Sequence, residues 1–418
     1  MKNSSGKTNT VRRRSFRGTY VVLLVVLLAV LIFCFLVDFE NVAYADSGKQ
    51  TKESVDADLS KAIEEVIARL NINSIQNFID SLGGEEAEFL SVGNVRETIK
   101  ALTSGESGNF FERLFSLLGS TVGRYFLAFL PSFITILIIC VLKSMLTGLT
   151  ANFLDNSTTE VVHVVVYAGV IGILMTGVIK ILSSVVGVIN SLSKFAEAVF
   201  PVLLTLLSAV GGTTTVAAYT PMLAVLSGGI MSIITKIIVP SFIAVVVFSV
   251  VGNLSKTVKL EKLTHLIKTA STWLIGVVFG LFATFLAAQG ITGGVVDKFG
   301  FNVAKFALSG YVPILGGYLS DGFDLISASV VIVKNAFGYF AAMTLVGIVV
   351  FPLLNVMVFS LTLRFTAAIV EPIGEERIAK LLHTLAENMN LLITALAGVG
   401  FLFFIMIMLI IGSCNMGV

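Results

Sequence analysis

The sequence predicts an all-α, polytopic helical membrane protein with an internal duplication and proline/glycine-broken helices, preceded by a small exported helical segment. Three observations carry that prediction. Of the 418 residues, 56% are hydrophobic and 13% charged, with a mean hydropathy of +0.96; soluble domains are nearer 25% charged. Apolar segments then follow one another from about residue 121 to the end of the chain. Finally, the prolines recur at matched spacing. Pro201 and Pro240 are 39 residues apart, as are Pro313 and Pro352, and the second pair is offset from the first by 112 residues.

The N-terminus reads as a signal. Arg12, Arg13, Arg14 and Arg17 precede an apolar run from Tyr20 to Val37, followed by polar Asp38, Glu40 and Asn41 and then Ala43-Tyr44-Ala45. A basic region, an apolar core and an A-x-A site in that order define a secretory signal peptide. Residues 1–45 are therefore expected to leave by cleavage after Ala45, with Ala43 and Ala45 as the recognised pair. An uncleaved anchor helix is the other reading, because the run of 18 apolar residues is long for a signal core. Both place the following residues outside the cell membrane.

Residues 46–120 form an exported acidic helical segment. Between Asp46 and Asn109 twelve acids face six bases. Val55, Leu59, Ile63, Val66, Ile67 and Leu70 recur at helical spacing, continued by Ile72, Ile75, Phe78, Ile79 and Leu82 up to Gly83-Gly84. A second helix is expected over Val92–Leu102. With one apolar stripe each, these helices need another surface to lie on. Phe110–Leu118 has the aromatic and leucine content of an interfacial helix, with Glu112 and Arg113 turned to water.

Residues 121–418 form the membrane domain. Its apolar segments are Tyr125–Leu149, Val161–Leu182, Phe195–Val210, Ala217–Ile238, Val239–Val251, Trp273–Ala288, Phe306–Leu319, Phe323–Leu345, Val346–Ala368 and Leu391–Ile411. A full helical crossing takes about 20 residues, so 195–210 and 306–319 read as crossings or as re-entrant half-helices. The duplication divides the domain into repeats of about 160–270 and 271–390, with a final helix at 391–411. Lys194-Phe195-Ala196 is echoed by Lys305-Phe306-Ala307, and each repeat closes on a polar amphipathic stretch, Asn253–Ala270 and Glu371–Asn390. The first of these holds Lys256, Lys259, Lys262 and Lys268 against Glu261, which suits a cytoplasmic loop.

The candidate site is the polar interruption from Tyr311 to Asn335. Pro313, Gly316 and Gly317 break the helix there, a break tolerated at membrane depth only under protein or beside a water-filled cavity. Asp321 and Asp324 suit either a helix N-terminal cap or a functional role. Lys334, beside Asn335, needs an acid, a carbonyl or water if it lies mid-membrane. Asp321, Asp324 and Glu197 are the acids at hand, and the open readings are an ion pair, the lining of a conduit, or a snorkelling anchor. In the first repeat Lys194 and Glu197, spaced for pairing with each other, precede Pro201. Arg364, late in its apolar segment, reads as a snorkelling anchor.

Other classes lack support. Cys34, Cys140 and Cys414 sit in or beside apolar runs with no ligand or disulfide spacing, and His163, His265 and His383 are scattered. No hydrolase, zincin, Walker or dinucleotide-binding pattern occurs in its required context. The chain is thus read as neither an enzyme nor a cofactor or metal protein. No basic aromatic face for nucleic acid follows the first twenty residues. A second functional reading is a stand-alone secondary transporter, its broken helices holding a small solute or ion at the repeat interface.

Pro313-Ile314-Leu315-Gly316-Gly317-Tyr318-Leu319-Ser320-Asp321, with Val333-Lys334-Asn335 after it and Phe200-Pro201-Val202-Leu203 and Gly211-Gly212 before it, resembles the stage III sporulation protein AE family of endospore-forming bacteria. The likeness runs over nearly the whole chain. It implies a membrane component of a channel-like, secretion-like complex linking mother cell and forespore, required for late forespore gene expression. It also implies a place in the mother-cell membrane around the forespore, with other membrane and exported subunits as partners besides the lipid bilayer. Homo-oligomerisation is left open, and the resemblance carries over no catalytic residues.

Overall fold

The computed structural model describes residues 52–90, 93–105, 110–150, 156–254, 260–311 and 316–413. The signal segment with Ala43 and Ala45, and Pro313, lie outside the described residues. Ala57–Gly417 form one compact unit, and every contact below lies within it.

Four short helices come first: α1 (Lys52–Arg69), α2 (Asn73–Asp80), α3 (Gly84–Leu90) and α4 (Val95–Thr103). The expected long helix breaks after Arg69, and the second starts three residues later than its apolar pattern. Asn94 begins α4 because its side chain accepts a hydrogen bond from the Arg96 amide at 2.9 Å, satisfying a free helix-end donor. Gln76 of α2 accepts from the Val95 amide at 2.9 Å and so holds the two together. The apolar stripes are buried: Ile75, Val95 and Ile99 are fully enclosed. Lys100 pairs with Glu64 across α4 and α1 and holds that carboxyl below its usual range.

The remaining helices are long. They are α5 (Phe110–Thr150), α6 (Asn156–Ala209), α7 (Thr213–Ala224), α8 (Val239–Leu254), α9 (Glu261–Tyr311), α10 (Gly316–Val370) and α11 (Glu376–Gly412). Two π-helical segments, Val225–Ile230 and Ile234–Ile238, join α7 to α8 through Met231–Ile233, and a 3-10 turn, Glu371–Ile373, joins α10 to α11. No strand occurs among the described residues. Six of these stretches are long and apolar enough to cross a membrane.

This corrects the segmentation read from the sequence. Several polar residues between apolar runs do not stop the helix they lie in; Lys194 and Glu197, for example, face outward from an unbroken α6. Phe195–Val210 is neither a separate crossing nor a half-helix but the continuation of α6. Likewise, Phe323–Leu345 and Val346–Ala368 are one helix, and the amphipathic Glu371–Asn390 stretch is largely the start of α11. The Phe110–Leu118 run is the first part of α5. Pro201 and Pro352 lie inside helices, and Pro240 is in the first turn of α8, where the wide turns of Ile234–Ile238 end. A π-helical turn absorbs the carbonyl that a proline leaves unpaired. The break that does occur after α6 is Gly211-Gly212. Gly211 has φ +87°, a left-handed conformation that glycine adopts without strain. A Cβ on Gly212 would fall 2.8 Å from the Leu207 carbonyl oxygen.

The outward faces of α6, α7 and α8 change character along their length. On α6 the exposed large side chains are Val161, Val164, Val165 and Ile179. Beyond them the exposed stripe reads Lys180, Ser183, Gly187, Asn190, Lys194, Glu197, Pro201, Thr205 and Ser208. Returning, the chain exposes Thr213, Thr214, Ala217 and Thr220 on α7 and Val225 just after it, and beyond Lys236 Ile237, Ile243, Val247, Val251 and Leu254 face out. Lipid-type surface therefore covers the first part of α6 and all of α8, and the hairpin between Lys180 and Lys236 has a mainly small and polar outer face, with Val225 as its large exposed apolar side chain. On α5 exposed apolar residues run from Phe126 to Leu146. The starts of α9 and α11 expose charge instead: Glu261, Lys262, Glu376 and Lys380.

Candidate functional site

The centre of the fold is α10, which packs most extensively on α11 and also against α5 and α6. Small residues let these helices approach. A Cβ on Gly338 would fall 2.3 Å from Ile411 Cγ1, and one on Gly400 2.8 Å from Val349 Cγ1. The short helices dock on α10 and α6. Phe89 of α3 meets Phe351 edge-on at 5.6 Å between ring centroids and lies against Gly347, while Phe78 of α2 meets Phe195 of α6 at 6.0 Å. Arg124 of α5 reaches Glu88 at 3.4 Å.

Lys334 is fully buried in α10. Its ammonium donates to the Ile411 carbonyl at 3.0 Å and to the Ser413 carbonyl. These carbonyls lie in the last turn of α11 and on the residue just after it, where helix geometry leaves acceptors unpaired and partial negative charge accumulates. Full burial sets aside the snorkelling reading, and two carbonyls are among the partners of the ammonium. Lys334 lies 17 residues, about 25 Å of helix, before Phe351, where the short helices dock. That is beyond the region of α10 flanked by the apolar face of α5. Asn335 beside it has a buried side-chain oxygen without a hydrogen-bond partner.

The other expected residues scatter. Gly316, Gly317, Asp321 and Asp324 fall in the first turns of α10, and their side chains lie outside the described residues. Glu197 and Lys194 are exposed on α6, where they line a shallow depression with Ser74, Asn77 and Ser81 of the short helices. Pro201 is exposed on the same stripe.

Three polar clusters were not read from the sequence. Asp297 of α9 is buried at the start of α7 and accepts hydrogen bonds from the Thr214 and Thr215 amides at 3.0 and 2.9 Å and from the Thr215 hydroxyl. Burial pushes this carboxyl up, but the hydrogen bonds from Thr215 and Thr214 outweigh it and hold it below the usual range. Its signal was present: Asp297 is the sole acid between Trp273 and Asp321, and Gly-Gly-Thr-Thr-Thr is a helix start. Their pairing across 82 residues was not legible. At the other end of the bundle Lys143 pairs with Glu375 in near-complete burial, and His163 Nδ1 lies 2.9 Å from the same ammonium. Asn388 of α11 donates to Ser249 of α8 at 2.9 Å, with Lys268 reaching Asn388 and the Glu387 carbonyl. Each cluster ties helices remote in sequence. Among the described residues no three His, Cys, Asp or Glu side chains are grouped to hold a metal.

A multi-pass helical membrane protein, braced by buried polar ties and carrying a small helical cap, is the class these features define. The family model for stage III sporulation protein AE matches residues 93–414, and the chain belongs to that family. Stage III sporulation protein AE of Bacillus subtilis (strain 168) is 25% identical over 398 residues, covering 94% of this chain and 97% of that protein. No solved structure matches. The family is one of sporulation proteins, not of enzymes.

Proposed function

We propose that the chain is a membrane subunit of the channel-like, secretion-like complex between mother cell and forespore, acting by assembly in the mother-cell membrane around the forespore. Family membership over residues 93–414 carries the reading. The match takes in every long helix from α5 to α11 and the docked helix α4. The acidic short helices face the exported side and meet other subunits there. The hairpins α6–α8 and α9–α10 derive from one duplicated unit, each a long helix, a break and a long returning helix. The outer face between Lys180 and Lys236 then stands outside the lipid, available to partner subunits.

Retrieval of the tagged full-length protein from sporulating cells tests the proposal. Other membrane and exported subunits should accompany it, and spore formation should stop after engulfment when the gene is removed. The purified protein alone should give no solute or ion flux in liposomes; robust coupled flux would instead support a stand-alone transporter.

A further inference from the structure

Along α10 one charged residue faces out where its neighbours are apolar. Leu361, Arg364, Phe365, Ala368 and Ile369 are all exposed, while Thr362, Leu363, Thr366, Ala367 and Val370 on the other side are buried. Two contacts register this stretch against α5. Phe359 packs on Phe129 and Phe133 at 4.9 and 6.1 Å between ring centroids, and the Ile373 carbonyl accepts from the Ser144 hydroxyl at 2.9 Å. The stretch from Phe359 to Ile373, the end of α10 and the 3-10 turn after it, thus runs beside about the same length of α5, which sets Arg364 level with about residue 136 of α5. The exposed apolar run of α5 extends from Phe126 to Leu146, so Arg364 stands near its middle. An arginine facing lipid at that depth is costly and rare unless something pairs with it.

Among the described residues nothing supplies that pair: Arg364 makes no hydrogen bond or ion pair with any of them. Headgroups do not serve it well either. The end of the apolar run nearer in sequence is about seven to ten residues on, or ~10–15 Å along the helix. The Cα–Cβ bonds of a helix tilt toward its N-terminus, which for α10 is away from that end. A second copy packing through its own lipid-type surface does not serve, because the exposed apolar stretches of α5, α6, α8 and α9 contain no acid.

We infer that this strip of α10 docks a transmembrane helix of a different membrane protein, one that places an Asp or Glu carboxylate against Arg364. The spacing of 361, 364, 365, 368 and 369 is one helical face, wide enough for a single helix lying alongside. The inference rests on the assembly reading for the existence of a partner, but its site is defined independently of the exported segment.

The test places a photo-crosslinking residue at Leu361 or Phe365 in the full-length protein in membranes of sporulating cells. The expected adduct maps by mass spectrometry to an apolar segment containing Asp or Glu. It falls at least tenfold in Arg364→Leu, returns in Arg364→Lys, and is restored in Arg364→Glu when the partner's acid is changed to Lys. Because Arg364 bonds none of the described residues, Arg364→Leu should keep the wild-type melting temperature in detergent, which separates lost docking from lost folding. An adduct to a second copy, adducts to lipid alone, or an adduct that survives Arg364→Leu overturns the inference. Failure of the assembly reading would show separately, as no co-purifying subunits from wild-type protein.

Discussion

At the scale of single residues, stability rests on groups enclosed with little tolerance. Lys334 donates to the Ile411 and Ser413 carbonyls at the end of α11. Lys334→Met keeps most of the volume but strands those acceptors, at about 1–3 kcal/mol for each buried group left unsatisfied. The melting temperature of the detergent-solubilised protein should fall by several degrees, roughly in proportion to that loss, and proteolysis near the C-terminus should speed up. An unchanged melting curve would show that the two carbonyls find other donors. Gly398 offers a sharper case. A Cβ there would fall 2.0 Å from Phe279 Cε2 of α9, so Gly398→Ala forces the ring or the helix to move. Overpacking of this kind costs about 1–3 kcal/mol. Phe279→Leu should restore most of the loss in the double variant, and additive destabilisation would show that the clash lies elsewhere.

At the scale of elements, Asp297 organises the turn between α6 and α7. It occupies donors at the start of α7 that no capping side chain on the Gly212 side can reach. Asp297→Ala should cost about 1–2 kcal/mol, as for a lost N-terminal cap. The pH dependence has a defined sign. The folded carboxyl is held below its ordinary value, so its stabilisation is present above the unfolded pKa of about 3.9 and is lost as pH falls through the lower folded value. Thermal melts of wild type and Asp297→Asn should therefore differ at pH 7 and converge under strong acid. The same region shows what the sequence discloses. Helix type was legible because apolar periodicity is a local property, as is the backbone freedom that lets Gly211-Gly212 break the chain. The continuity of α6 through Pro201 and of α10 through Pro352 was not, because neighbouring helices, not the chain's own preference, hold a proline-bearing helix together. Lys334 was legible as a buried charge in need of a partner; that the partner is the end of a helix nearly eighty residues later depends on packing alone.

At the scale of the whole molecule, the helices are longer than a bilayer requires. α6 has 54 residues and α10 has 55, or about 80 Å each at 1.5 Å per residue, against a hydrocarbon core of about 30 Å. Either lipid covers the polar outer stripe from Ser183 to Ser208, or the bilayer ends near Lys180 and Lys236. The second arrangement leaves exposed valine, isoleucine and leucine in hydrocarbon and exposed serine, asparagine, lysine and glutamate in water, so it is the one burial energetics favour. Single cysteines distinguish them. At Ser183, Asn190, Thr205 and Thr220 a membrane-impermeant maleimide added to intact cells or sealed vesicles should label readily from one side only. At Val165, Ile179, Val247 and Val251 the same reagent should fail until detergent is added. Protection at all eight positions would put the hairpin within the membrane, and labelling at Val247 or Val251 would mean that an aqueous path runs beside α8.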